Sequence, residues 1–366
     1  MSTISMRGAG YYSANTVGAK TAIDRVGDLV LSVAAKTPPL PPGAPFAIAD
    51  FGAADGGTSM GLMRRLVAAL RAREPERQIA ITYTDLPHND FSALFRLSQG
   101  LIGPKDEPPL ADHPQVFIFG SGTSFYRQIF PDASLTFGFS ATAMHWISAR
   151  PCTIADHVHA VGAAQSEREL FRRQALQDWE TILLARAREL RSGGRLVLAN
   201  FCLDEDGRYL GHTTDVDMFD SFARHWRNLL RAGRINPTEY ANATFQQYYK
   251  TQEEFAAPFR DPDSPVSRAG LTQESSFTMV TPCPYAEAFR EHGDAKAFAR
   301  AYVPTLRSWS EVVFAGALDP ARAAAERLAI VDDFYSAYEA DVAAAPEGHR
   351  MDYVHCVVEI AKRDVG

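Results

Sequence analysis

The stretch Phe46-Ala47-Ile48-Ala49-Asp50-Phe51-Gly52-Ala53-Ala54-Asp55-Gly56-Gly57-Thr58-Ser59 constrains this chain most, because an apolar run, an acid with glycines behind it, and a helix start follow one another directly. Residues 46–49 suit a strand covered on both faces, and Gly52, Gly56 and Gly57 allow backbone angles and close approaches that a Cβ would obstruct. Thr58 or Ser59 can cap the following helix, whose Met63, Leu66, Val67 and Leu70 form an apolar stripe. In open α/β sheets such a strand-to-helix crevice is where nucleotides bind. The spacing is not G-x-G-x-x-G, so the dinucleotide fingerprint is not met. A companion signal is Asp85, which ends the apolar run 78–84 and is placed to accept hydrogen bonds from both ribose hydroxyls. Asp50, at the tip of the first strand, can meet an ammonium group. The two acids together favour a nucleoside ligand over turn chemistry alone.

The next segments repeat the alternation. Strands are expected at 116–119, 135–140 and 195–201, with a long helix from Gln165 to Leu190 stopped by Ser192-Gly193-Gly194. This order predicts a doubly wound, Rossmann-like α/β sheet. If the sheet is parallel, the carboxyl end of the fourth strand points His145-Trp146 into the same crevice. Taken alone, that pair equally fits a packed core pair. From residue 204 the regularity breaks. Residues 1–203 read as lid and core, 204–270 and 285–345 as a mostly helical cap, and 271–284 and 346–366 as strands that complete the sheet. The cap is rich in aromatic residues, among them Phe219, Phe222, Phe245, Tyr248, Tyr249 and Trp309, which suits an apolar acceptor.

Composition excludes several classes. With 37 basic against 44 acidic residues the net charge is −7, which argues against a nucleic-acid partner. Cys152, Cys202, Cys283 and Cys356 are far apart with no C-x-x-C pair, so neither a zinc site nor a disulfide framework is expected, and no metal. No apolar run approaches the ~20 residues of a membrane span, and the first residues lack a charged-then-apolar signal. A cytoplasmic protein that binds no membrane is expected.

Five motifs now resemble one family: Asp50-Phe51-Gly52, Asp85-Leu86-Pro87-His88-Asn89-Asp90-Phe91, Ser124-Phe125-Tyr126 with Phe130-Pro131, His145-Trp146-Ile147-Ser148, and Gly193-Gly194-Arg195-Leu196-Val197-Leu198. In order and spacing they are similar to the SABATH methyltransferases, which transfer a methyl group from S-adenosylmethionine, leaving S-adenosylhomocysteine, to carboxyl groups of small acids or ring nitrogens of xanthines. The resemblance implies that Tyr12, Asn15 and Thr16 clasp the cofactor, Asp50 and Gly52 flank its methionine part, Asp85 holds the ribose, and Leu86, Ser124 and Phe125 border the adenine. It further implies that Trp146 donates its indole N–H to the substrate carboxylate, with His145 and Thr142 in the same pocket and Phe219, Phe222, Tyr248 and Tyr249 as acceptor-pocket residues. Family members are commonly homodimers, so a homodimer is expected. One position departs: Ala19 stands where the family places a carboxylate-binding glutamine, with His145 or Lys20 as the available replacements. The implied reaction is O-methylation of a small hydrophobic acid, with N-methylation of a heterocycle or cofactor binding without transfer as alternatives.

Overall fold

The computed structural model describes residues 16–103 and 108–364 of the 366-residue chain. Its centre is an eight-stranded sheet in the order β3-β2-β1-β4-β5-β8-β7, with β6 paired to β5. The strands are β1 (Phe46–Phe51), β2 (Ile79–Thr84), β3 (Val116–Ser121), β4 (Leu135–Ala141), β5 (Leu190–Leu203), β6 (Lys250–Thr251), β7 (Leu271–Thr281) and β8 (Tyr353–Lys362). Strands β1 to β5 are parallel to one another, and β8 runs antiparallel between β5 and β7. The chain order reverses between β1 and β4, the switch point at whose carboxyl ends open α/β sheets place a ligand crevice.

Local sequence explains the elements. Phe46, Ile48, Phe51, Leu135, Phe137 and Phe139 are fully buried, as strands with a layer on either face require. Helices α1 (Val17–Ala35), α2 (Met60–Arg73) and α3 (Phe91–Ser98) flank the first half, and α2 buries Met63, Leu66, Val67 and Leu70, the expected stripe. Asp90 caps α3 by accepting from the Ala93 N–H at 3.1 Å. Helix α4 (Gln165–Glu189) ends sooner than its sequence suggests: Leu190 is already extended and opens β5. The glycines at 193 and 194 therefore lie within the strand, where the register between β4 and β5 shifts, rather than at the helix stop.

Beyond β5 the chain builds a second apolar centre from α5 (Met218–Arg231), α6 (Pro237–Asn242), α9 (Pro284–His292), α10 (Ala295–Ala317) and α11 (Ala324–Ala344). Two short helices, α7 (Gln252–Arg260) and α8 (Pro265–Arg268), pack beside the sheet. Phe219, Phe222, Phe245, Trp309, Phe314 and Phe334 interlock in this centre with ring centroids 4.2–6.2 Å apart, the range of offset and edge-to-face pairs. Among the described residues no helix is long and apolar enough to cross a membrane.

Candidate functional site

Two glycine-bearing turns shape the crevice at β1. Gly52 has φ +77°, and a Cβ there would lie 2.3 Å from that of Ala143, so only glycine lets β1 leave the sheet beside the tip of β4. Ala54 also takes a positive φ, of 49°, and its N–H donates to an Asp85 carboxylate oxygen at 2.7 Å. The other Asp85 oxygen accepts from the Leu86 N–H at 2.7 Å, so the turns after β1 and β2 are fastened by one carboxylate. Burial pushes the Asp85 carboxyl above its usual range in spite of these two donors.

Asp50 is almost wholly buried, and its acidity is set by that burial. Desolvation raises it, the Ser59 hydroxyl bond pulls it down and the Asp85 charge pushes it up, with a net value of about 7. Ser59 was a candidate helix cap by sequence. Its hydroxyl instead donates to Asp50, and the cap makes no side-chain bond to the helix. Because the folded value lies above the unfolded one, folded Asp50 keeps a proton that the unfolded chain has already released. Stability from this group is therefore unaffected below about pH 4 and is lost as pH rises from about 4 toward about 7. Thermal melts of the ligand-free protein should show this decline, and Asp50→Asn should flatten it; an equal slope in both proteins would refute the assignment.

The Ser124-Phe125-Tyr126 segment is held from behind. Arg186 and Glu189, both fully buried on α4, form an ion pair beneath it. The Arg186 guanidinium donates to the carbonyls of Phe125 and Arg127 at 2.9 Å each, and Glu189 accepts from the Ile129 and Phe130 N–H groups. The guanidinium also lies 4.4 Å over the Phe51 ring. Ser124 and Phe125 are thereby set at the crevice, with the Phe125 ring edge 3.8 Å from where a Gly52 Cβ would stand.

A second, small pocket adjoins the tip of β4, with a cavity volume of about 30 Å³. Thr142, His145 and Trp146 line it from the segment just after β4, and Thr16 from the entrance to α1. Phe201, Met351 and Tyr353 contribute from the β5 and β8 ends, and Leu210, Gln247 and Trp309 from the cap. None of these described side chains is an aspartate, glutamate, lysine or arginine, so the wall offers neutral polar groups on an apolar surface. Thr142 has φ +55°, a left-handed conformation costly for a β-branched residue, and is fixed there by its N–H bond to the Ala199 carbonyl at 2.9 Å. Such an outlier at a pocket wall marks a side chain whose position the fold over-determines.

His145 is packed among Phe201, Tyr249 and Trp146, with centroids 4.7, 5.9 and 5.8 Å away, and its Nδ1 has no hydrogen-bond partner. Burial first, then the positive potential of His355, Lys250 and His159, holds it well below the usual histidine range, so the ring is neutral at pH 7. Trp146 is half-buried, and among the described residues its indole N–H has no acceptor. Its backbone pairs with that of Gln247 in an antiparallel bridge, flanked by bonds from the Ile147 N–H to the Gln246 carbonyl (3.0 Å) and from the Tyr248 N–H to the His145 carbonyl (3.1 Å). The Tyr126 hydroxyl donates to the Trp146 carbonyl.

Thus the structure gathers Asp50, Gly52, Asp85, Leu86, Ser124 and Phe125 at the crevice, and Thr16, Thr142, His145 and Trp146 at the pocket. Tyr12 and Asn15 lie outside the described residues. Phe219, Phe222 and Tyr249 sit in the cap core behind the pocket wall, and Tyr248 packs against a separate apolar cluster that includes Ile147 and Phe171, its hydroxyl toward Glu254. Lys20 is exposed and paired with Asp24 at 3.6 Å, so it is no replacement for the glutamine missing at Ala19. Gln247, Phe201, Leu210, Met351 and Tyr353 were not foreseen as pocket residues. The bridge that brings Gln247 in spans about a hundred residues and leaves no local signal.

A family model described as SAM dependent carboxyl methyltransferase matches residues 6–362. Among curated proteins the chain is similar to indole-3-acetate O-methyltransferase 1 of Arabidopsis thaliana, with 30% identity over 219 residues, 52% of this chain and 54% of that protein. It is also similar to gibberellic acid methyltransferase 1 of the same plant, with 27% identity over 236 residues, 57% of this chain and 60% of that protein. The chain thus spans between half and two thirds of the length of these relatives. Among solved structures, loganic acid methyltransferase with SAH superposes with a TM-score of 0.76 at 20% identity, over 98% of this chain and 99% of that one, and shares its fold.

Proposed function

The chain belongs to the S-adenosylmethionine-dependent carboxyl methyltransferase family, and from that premise we propose that it forms the methyl ester of a small hydrophobic carboxylic acid, whether aromatic, indole or fatty. The observation that carries this reading is the Trp146 indole N–H, which has no acceptor among the described residues and stands in a pocket wall of neutral donors and apolar rings.

The crevice suits the cofactor on its own chemistry. The buried Asp50 carboxyl, raised to about 7, has no cation beside it among the described residues, and a ligand bearing one would restore its charge. Asp50, Gly52, Asp85, Leu86, Ser124 and Phe125 would hold the cofactor, with Thr16 and, from outside the described residues, Tyr12 and Asn15. When bound, S-adenosylmethionine supplies an electrophilic methyl group on a sulfonium.

The rest falls to this chain's residues. A carboxylic acid with a reference pKa near ~4 is ionised at neutral pH, so no base is needed. Trp146 orients the carboxylate through one neutral N–H, which leaves its nucleophilicity largely intact. Neutral His145 neither protonates the acceptor nor locks it in an ion pair. Phe201, Leu210, Trp309 and Met351 exclude water around it. Orientation and desolvation together are the catalytic means. Residues 204–270 and 285–345 act as the acceptor cap in this reading. It also includes a homodimer and a cytoplasmic setting, the latter supported by four cysteines that are all unpaired.

The test is mass spectrometry of purified protein with S-adenosylmethionine and benzoate, indole-3-acetate, octanoate and a xanthine. A methyl ester of one of the acids is expected. Methylation of the xanthine nitrogen alone, or cofactor binding with no transfer, would overturn the reading.

A further inference from the structure

We propose that Gln247 supplies the second N–H group that grips the acceptor's carboxylate, in place of the glutamine that the family carries at the position of Ala19. The inference rests on the carboxyl-methylating reading above.

Three observations on the described residues lead to it. First, the usual donor is absent from α1: Ala19 is buried in the cap core, and Lys20 points to solvent. Second, Gln247 and Trp146 are directly opposed in an antiparallel bridge. Directly opposed residues project from the same face with Cβ atoms about 5 Å apart, and both side chains indeed line the one pocket. Third, the Gln247 carboxamide is already oriented. Its Oε1 accepts the Tyr249 hydroxyl at 3.2 Å, so the NH₂ end is the one left to donate, and the side chain is almost wholly buried. A buried amide positioned by a tyrosine, facing the same space as an unpartnered indole N–H, makes a pair of neutral donors matched to the two oxygens of one carboxylate.

The test uses full-length protein and follows ester formation from benzoate, indole-3-acetate and octanoate, with S-adenosylhomocysteine affinity measured alongside. Gln247→Met keeps the side-chain length and removes the donor. It is expected to lower kcat/KM by roughly tenfold to a hundredfold, mostly through KM, with S-adenosylhomocysteine binding unchanged. Gln247→Glu sets a carboxylate against a carboxylate. Its kcat/KM relative to wild type should fall further at pH 8 and recover as the pH is lowered and the buried Glu takes up a proton that it can donate. A residue with a purely structural role would show no such recovery. If wild type esterifies an acid but Gln247→Met keeps its KM within about twofold, or Gln247→Glu shows no recovery, Gln247 is not the donor while the reaction stands. If wild type esterifies none of the three acids, the reaction itself falls and the donor role with it.

Discussion

Trp146→Phe is expected to lower kcat/KM for the esterified acid by roughly a hundredfold while the dissociation constant of S-adenosylhomocysteine stays within about twofold. Phenylalanine keeps most of the ring area that packs against the cap and removes only the N–H. A hydrogen bond to a charged group contributes about 1.5–3 kcal/mol, and each 1.4 kcal/mol is tenfold. The split between the two measurements is the informative part. Trp146 stands in the pocket at the tip of β4, whereas Asp50 and Asp85 stand at the adjoining crevice. Equal losses in transfer and in cofactor affinity would mean that the indole serves the crevice, not the acceptor.

Arg186→Met is expected to destabilise the protein by about 3–5 kcal/mol, because it leaves the Glu189 carboxylate buried without its counter-charge. The variant also strands the carbonyls of Phe125 and Arg127. The double variant Arg186→Met/Glu189→Leu should recover part of the loss, since no lone charge then remains inside, but not the fixed position of the Ser124–Tyr126 turn. Urea midpoints of wild type, single and double variants would show this order, and calorimetric titration with S-adenosylhomocysteine should find both variants binding more weakly. A single variant as stable as wild type would show that the pair does not clamp the turn.

What was legible in the sequence was whatever is written locally. Asp50 with Gly52, and Asp85 behind its strand, declare a crevice within forty residues because strand, turn and acid are consecutive. The apolar stripe of α2 and the end of β4 with His145 and Trp146 are readable for the same reason. Single positions were harder. Ser59 looks like a helix cap, yet the nearby buried Asp50 takes its hydroxyl, because an unpaired buried carboxyl costs more than an uncapped N–H. Ser192-Gly193-Gly194 looks like a helix stop, yet α4 ends at Glu189, whose carboxylate is drawn to Arg186 and the 129–130 amides. Phe219 and Phe222 carry the right chemistry for an acceptor pocket but fill the cap core, and aromatic content alone does not separate wall from filling. Gln247 had no signal at all, since its role depends on a bridge to Trp146 that only the folded chain makes.

The place of β8 in the sheet has a consequence for biosynthesis. It is the last described strand to leave the ribosome, yet it lies between β5 and β7, and Met351 and Tyr353 at its start belong to the pocket wall. Until it arrives, a nascent chain exposes one long edge of β5 and has no partner in the sheet for β7. Such edges invite pairing with other chains. The crevice built from β1, β2 and β4 needs none of these late residues. A growing polypeptide can therefore close the first site early, while the second exists only after translation has passed Tyr353.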